Sequence, residues 1–347
     1  MRDMREMRDI RDMRTPVRIR NHTAEPGETV RGWVEIGETA GGPVSIPLVI
    51  INGREDGPSL CFTAGVHATE YAPIDAVMRL VHSLDASTLR GAVIAVPVAN
   101  MRMFESRTGF VSPLDGLNLN KIAPGRRDGS ISEVLADVLL HEVIGAAEYH
   151  IDFHAGDLGE RLLPFAGYSM TGRADLDAKG EALARAFSPG LVSLSTPDSA
   201  IPPFPGSLNY AATRNGIVSI LAEAGGDGTL EEHDVRLHVT GARNVMIALG
   251  MIDGTPASPV ATRALARDRV VIRAARSGLL RLDARIGDEI VAGQELGEIR
   301  NVFGDVIERV CAPGSGIAGL IWTHKVVNSG DPILRYWITE PTPPPTR

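Results

Sequence analysis

The chain has 347 residues, 44% hydrophobic and 22% charged, enough for one large domain and a smaller one built around substantial cores. Its formal net charge of −8 gives no electrostatic reason to expect nucleic acid or an anionic membrane as partner. No apolar run approaches the roughly 20 residues of a membrane span, and the start Met1-Arg2-Asp3-Met4-Arg5-Glu6 lacks the apolar segment of a secretory signal.

Residues 1–20 read as an N-terminal tail. Its Arg-Asp-Met repeats suit either a solvated extension or a packing arm in a homo-oligomer. The pattern changes at Val44, where Val44 to Ile51 reads as a strand closed by the turn Asn52-Gly53. Ser59 to Ala64 is a second strand. Ala72 to Leu84 has the apolar spacing of a helix, with Ile74, Val77, Met78 and Val81 on one side. Ala92 to Val98 is a continuous apolar strand, as a sheet buried on both faces requires. A helix over Ser132 to Ala147, a strand over Tyr149 to Phe153, a helix over Leu176 to Phe187 and a strand over Ile217 to Ala222 complete the series. The alternation implies an α/β fold, a three-layer sandwich with a mixed central sheet, spanning about residues 21–255. Active residues in such a fold collect at strand ends and in the loops that follow.

Pro256 and Pro259 mark a boundary over 256–269. Beyond it a weak repeat relates Ser277-Gly278-Leu279, Gly287-Asp288 and Gly293 to Ser315-Gly316-Ile317 and Gly330-Asp331. Two copies of a short-strand unit predict a compact all-β domain over 270–340, similar to a barrel-sandwich hybrid. Carrier modules of that kind bear a modifiable lysine on the central turn. Here the turn is Asn301-Val302-Phe303-Gly304-Asp305, so a structural or lid role is expected. The two cysteines, Cys61 and Cys311, lie about 250 residues apart and make a poor disulfide framework. Cys61 reads as a buried free thiol, and a reducing, cytoplasmic setting is expected.

The strongest chemical feature is Gly65-Val66-His67-Ala68-Thr69-Glu70, between a strand and a helix. His67 and Glu70 can reach one ion there, and two histidines with one glutamate and an open position form a known catalytic zinc set. A third ligand must come from another strand end. His154 closes the run His150-Ile151-Asp152-Phe153-His154, and Asp152, on the same face two residues back, could orient the imidazole. A buried, hydrogen-bonded histidine is the alternative. Glu223 ends an apolar strand beside Gly225 and Gly226, which would let a substrate approach. A carboxylate there needs a task or a partner; general base and structural ion pair both fit. His141-Glu142 lacks the second histidine of a metal helix, because position 145 is Gly145. His233 and His238 are expected on the surface.

Taken together these runs resemble the succinylglutamate desuccinylase/aspartoacylase branch of the zinc carboxypeptidase superfamily. The matching pieces, in the family's order, are Gly65 to Glu70, Asp115-Gly116-Leu117-Asn118-Leu119-Asn120-Lys121, Pro124-Gly125, Asp152-Phe153-His154 and Glu223-Ala224-Gly225-Gly226. The resemblance covers about residues 44–250, and a C-terminal β module is usual in this branch. It implies one zinc ion per chain on His67, Glu70 and His154, with Glu223 passing a proton from the attacking water to the leaving amine. Asn120 and Lys121 match the pair that grips the substrate carboxylate, and the oxyanion-stabilising arginine falls on Arg107, with Arg102 as second choice.

Two departures stand out. The family's usual arginine is replaced by Lys121, whose ammonium cannot make a planar bidentate grip. Gly109, not an arginine, directly precedes Phe110. The implied activity is hydrolysis of a linear amide in a small N-acylated amino acid. The Gly-Val-His-Ala-Thr-Glu-Tyr and Gly-Leu-Asn-Leu-Asn-Lys runs resemble acetyl-diaminobutyrate deacetylases of ectoine breakdown in particular. A carboxypeptidase-like peptidase is the alternative within enzymes, and a metal-free scaffold that kept the fold is the alternative outside them.

Overall fold

The computed structural model describes residues 14–187, 190–196, 204–257 and 264–341. Residues 1–13 of the expected tail and Pro259 of the expected boundary lie outside them. Val17–Ile19 (β1) and His22–Ala24 (β2) form a small hairpin whose Ile19 and Ala24 are buried. Glu28–Thr39 (β3) and Gly42–Asn52 (β4) pair antiparallel, followed by Glu55–Thr63 (β5), Arg90–Val96 (β6) and Tyr149–His154 (β7). Glu160–Leu162 (β8), Phe165–Ser169 (β9), Leu191–Ser195 (β10) and Val218–Glu223 (β11) complete the first part of the chain.

Among the described residues these strands belong to a mixed sheet with the order β3-β4-β6-β5-β7-β11-β9-β10. Two-sided burial explains the apolar runs. On β6, Val93 and Ala95 face one core, shared with Val49, Phe62 and the helices Tyr71–Ser83, Ala174–Phe187 and Glu232–Ala248. Ile94 and Val96 face the other, shared with Ile50, Cys61 and the helices Ile131–Asp137 and Leu208–Arg214. The result is the expected three layers. Cys61 is buried and free, and Cys311 is exposed and free. No helix among the described residues is long and apolar enough to cross a membrane.

Parallel pairing is what positions the site. β5 lies parallel to β7 with Thr63 opposite Asp152, and β7 lies parallel to β11 with His154 opposite Glu223. The carboxyl ends of three central strands therefore stop side by side.

Two expectations change, and several elements had not been anticipated. The helix expected over Ser132 to Ala147 is α-helical only over Ile131–Asp137, opened at Ser130, whose N–H donates to Glu133 Oε2 at 2.8 Å; it widens into a π-helical stretch at Val138–Val143 and ends at Ile144–Ala146. Strands β3, β9 and β10 and the helices Leu208–Arg214 and Glu232–Ala248 lay outside the sequence reading. The last of these carries only a narrow inward stripe, Val235, His238, Ala242, Val245 and Met246. That stripe overturns the surface placement of His238, which is 0% exposed. Its Nε2 donates to the Ala224 carbonyl at 3.0 Å, and its ring stands 5.5 Å from that of Phe153. His233, one turn earlier, is exposed as expected.

The C-terminal part comprises Ala264–Arg273 (β12), Gly278–Leu282 (β13), Glu289–Ile290 (β14), Glu295–Arg300 (β15), Val306–Cys311 (β16), Gly316–Trp322 (β17), Val326–Val327 (β18) and Pro332–Pro341 (β19). A separate antiparallel sheet, β16-β15-β13-β18, packs on its own core of Leu280, Leu296, Ile299 and Val310. The other strands extend the central sheet. β12 starts parallel to β10, with Leu191 opposite Ala264, and continues antiparallel to β19 past an irregularity between Ala266 and Asp268. β8 pairs with β17, and Thr323 bonds Gly159 O through its backbone N–H at 2.8 Å and Asp227 Oδ1 through its hydroxyl at 2.7 Å. The module is thereby stitched to the loops beyond β7 and β11.

His150, in the middle of β7, is 0% exposed. Thr63 Oγ1 donates to Asp152, so it accepts from His150 Nε2 at 2.8 Å, leaving Nδ1 to accept from Ser219 at 2.8 Å. Burial pushes this imidazole down to about 4, with Asp152 opposing. Between pH 6.5 and 4 the unfolded chain takes up a proton that the folded chain refuses, so stability falls as pH drops through that window. Denaturant titrations of wild type and His150→Asn at pH 7 and pH 4 are expected to show the variant losing about 3 kcal/mol less than wild type. Equal losses would show that His150 is not the source.

Candidate metal centre

The chain leaves β5 through Ala64, whose N–H reaches Val96 O at 3.0 Å, and turns at Gly65. Gly65 sits at φ +65°, and a Cβ there would meet Val98 Cα at 3.0 Å. This turn aims His67 and Glu70 across the strand ends before the helix Tyr71–Ser83 begins. His154 closes β7. The three side chains are 8%, 3% and 2% exposed, and one ligand atom from each can be chosen so that all lie within 4.8 Å of one another.

Glu70 is the hinge of the arrangement. Its Oε1 lies 2.8 Å from His67 Nδ1, and its Oε2 lies 3.0 Å from His154 Nδ1 and accepts from the Ala155 N–H at 3.0 Å. The two imidazoles thus turn the same nitrogen toward one carboxylate. Burial alone would raise Glu70, but His154 and His67 hold it at about 2. Burial alone would lower both imidazoles. Glu70 reverses this for His67, and Glu70 with Asp152 lifts His154 well above its ordinary value. The same concentration of donors would suit a divalent cation, and the donor set of two imidazole nitrogens and a carboxylate oxygen fits zinc.

Each imidazole is steadied from behind. His154 Nε2 lies 3.4 Å from Asp152 Oδ2, a charge approach rather than an aligned hydrogen bond, and Thr63 Oγ1 donates to Asp152 Oδ1 at 2.6 Å. His67 Nε2 meets Asn118 Oδ1 at 3.1 Å, and the same oxygen accepts from the Asn120 N–H at 2.9 Å. Asn118 was visible in the sequence only as part of a motif, and nothing in that run marked it as the support of His67. Asp157, 0% exposed, was also missed. It accepts from the Thr69 hydroxyl, from Leu158 N at 2.6 Å and from Phe110 N at 2.6 Å, tying three loops together.

Glu223 stands opposite His154 in the ladder. Its Oε2 is buried without a partner among the described residues. Burial pushes its pKa well above the usual carboxylate range; Glu70 and Glu160 add to this, while His154 and Arg335 oppose it. Among the described residues Glu223 forms no ion pair. Arg335 of β19 also bears on it electrostatically; its guanidinium stacks 4.9 Å from the Trp337 ring and its Nε lacks a partner. The adjacent glycines serve the fold rather than a substrate. A Cβ on Gly226 would meet the Glu160 carbonyl at 2.3 Å, and one on Gly225 would press on Ala72 and Asp234.

The remaining candidates are spread around this centre. Asn120 lines a cavity, with its Oδ1 buried and unpartnered. Lys121 is exposed. Arg107 caps the helix Met101–Ser106 in the left-handed region, φ 56°, and is exposed, three residues before Phe110, whose ring lies 5.8 Å from that of His67. Arg102 is engaged with Glu105 at 2.9 Å and Pro43 O at 3.2 Å.

A family model of the succinylglutamate desuccinylase/aspartoacylase catalytic domain matches residues 56–249. The chain is 28% identical over 304 residues to N-alpha-acetyl-L-2,4-diaminobutyric acid deacetylase of Halomonas elongata, a match covering 85% of this chain and 86% of that protein. The solved succinylglutamate desuccinylase/aspartoacylase of Rhodobacter sphaeroides superposes with a TM-score of 0.81 at 26% identity, over 90% of this chain and 96% of that one. The product-bound ectoine utilization protein EutE (DoeB) of Ruegeria pomeroyi shares the fold, with a TM-score of 0.84 at 24% identity over 94% of this chain and 100% of that one. The matched segment takes in His67, Glu70, His154 and Glu223 and more than half of the sequence, so the chain belongs to the succinylglutamate desuccinylase/aspartoacylase family.

Proposed function

We propose that this chain is a zinc-dependent deacylase that hydrolyses the amide of a small N-acylated amino acid, with N-acetyl-2,4-diaminobutyrate as the leading substrate. The observation that carries the reading is the convergence of His67, Glu70 and His154 on one point, with the unpartnered Glu223 carboxyl beside them. The curated relative from Halomonas elongata supports the substrate. A metal-free scaffold has no use for four buried ionisable groups arranged in this way. The module stitched over the strand ends favours small substrates over the peptides of a carboxypeptidase-like enzyme. The reading includes a cytoplasmic enzyme of amino-acid metabolism.

His67, Glu70 and His154 would hold the zinc. When bound, zinc supplies a Lewis acid that makes a water acidic and polarises the amide carbonyl. Glu223 lies where it can take a proton from the attacking water, then return it to the departing amine nitrogen. Burial raises its proton affinity, which makes the ionised carboxylate a stronger base toward the attacking water; the proton it gains is the one it returns to the amine. Arg107 is proposed to stabilise the oxygen that gains charge as the carbonyl is attacked. Arg102 is already engaged, which leaves Arg107 as the available guanidinium of that stretch. Asn120 is proposed to hydrogen-bond the substrate near its carboxylate, with Lys121 at the rim.

Three outcomes are expected. Glu223→Gln should retain its metal, measured by elemental analysis, and lose about 10²- to 10⁴-fold in kcat on N-acetyl-2,4-diaminobutyrate; turnover near the wild-type rate would remove Glu223 from the role. Asn118→Ala should weaken zinc binding about 10- to 100-fold in a chelator competition, because His67 loses its orienting partner. An unchanged affinity would show that His67 is held by other contacts. Arg107→Gln should lower kcat about 10²- to 10³-fold with little change in fold, whereas Arg102→Gln should leave kcat close to wild type. The reverse ranking would move the oxyanion role to Arg102.

A further inference from the structure

We infer that the substrate carboxylate is gripped by Arg269, a residue of the C-terminal module, within a cavity enclosed between that module and the end of the central sheet. The inference rests on the deacylase reading and names the group that reading leaves without a bidentate partner.

The cavity holds about 570 Å³ of empty space, part of it open to solvent. Its floor is the sheet face that carries the general base. Leu221 lies two residues before Glu223 on β11, so the two side chains share a face, about 7 Å apart along the strand. Phe165 stands opposite Glu223, and Gly167 stands opposite Leu221. Ser193 continues the row, opposite Gly167. The roof comes from the module, where Arg269 and Trp337 face each other across β12 and β19. Asn120 closes the side toward the metal centre, its Oδ1 unpartnered and its backbone N–H bonded to the oxygen that supports His67.

The lining is chemically one-sided. It contains Asn120, several serines and aromatic rings, and Arg269 is its one charged side chain. Arg269 is substantially withdrawn from water, and desolvation lowers its pKa despite Asp268 nearby. Its guanidinium makes no hydrogen bond or ion pair among the described residues; the Asp268 carboxylate is bonded to its backbone N–H at 2.6 Å. A cation in a partly dry site whose side chain bonds no carboxylate is costly, and the carboxylate of a ligand can supply that bond. The planar fork of an arginine matches a carboxylate in two parallel hydrogen bonds, which an ammonium cannot do. Lys121 is exposed and outside the cavity lining. The bidentate grip absent from the catalytic domain at Lys121 is thereby restored from a different part of the chain. Arg335, outside the lining, is close enough for the positive charges of the two arginines to act on each other.

The test uses zinc-loaded protein carrying Glu223→Gln, so that ligands persist, and N-acetyl-L-2,4-diaminobutyrate with its carboxamide as probes. Calorimetry should show the carboxylate binding about 10- to 100-fold more tightly than the carboxamide, Arg269→Gln abolishing that preference, and Arg269→Lys restoring part of it. Because Arg269 forms no bond within the protein, melting of Arg269→Gln should stay within a few degrees of the parent; if it unfolds, Arg269→Lys carries the comparison. A preference that survives in the variant, its absence in the parent, or no binding of either probe would each overturn the inference. Turnover of both compounds is read in parallel with Glu223 intact. Loss of carboxylate binding in Arg269→Gln without hydrolysis in the wild type would leave the Arg269 site standing and remove the deacylase reading.

Discussion

A single carboxylate shared by two imidazoles is the constraint around which this molecule is arranged. Glu70 is buried, and water cannot solvate its charge there, so both oxygens must be satisfied by the protein or by a cation. His67, His154 and the Ala155 N–H do so. That requirement dictates the local backbone: a glycine turn after β5, a strand end at His154 in parallel register with its neighbours, and loops pinned by Asp157. The same closeness of charge raises one proton affinity and lowers another across a few ångströms. Glu70 is driven toward the anion and Glu223 toward the neutral acid by opposite balances of cation and burial. Two glutamates in one centre thus acquire opposite proton affinities from their surroundings, not from their chemistry.

Much of this was legible in the sequence where burial writes a strong pattern. The apolar runs of β4, β5, β6, β7 and β11 and the helices Tyr71–Ser83 and Ala174–Phe187 announce themselves because both sheet faces are covered. The cluster of His67, Glu70 and His154 could be read because these residues sit at the ends of such runs. The unread elements have weaker patterns. β9 and β10 are five-residue strands diluted by glycine and serine. The helix Glu232–Ala248 presents a stripe interrupted by Gly241, where a Cβ would strike the Phe187 ring at 2.6 Å, so close packing replaces hydrophobic volume. His238 was misplaced for that reason.

Supporting residues were harder still to read. Asn118 and Asp157 act through contacts with residues 51 and 88 positions away, and nothing in their local spacing encodes such partners. The roles of Gly225 and Gly226 were inverted: the space they leave is filled by the protein's own backbone and side chains. Arg269 and Arg335 did not stand out in the sequence because they belong to the C-terminal strands rather than to a motif of the matched region. Tertiary placement alone, through β12 and β19, brings their two guanidiniums near the central sheet.

The course of β12 also bears on how such a protein can be divided. One strand pairs with β10 at its start and with β19 along its length, so it belongs to the central sheet and to the module at once. Excising the module would leave β10 with a row of unanswered backbone donors and acceptors, an open invitation to pair with another chain. The two halves share hydrogen-bond ladders, so neither can be cut away without baring the backbone of the other.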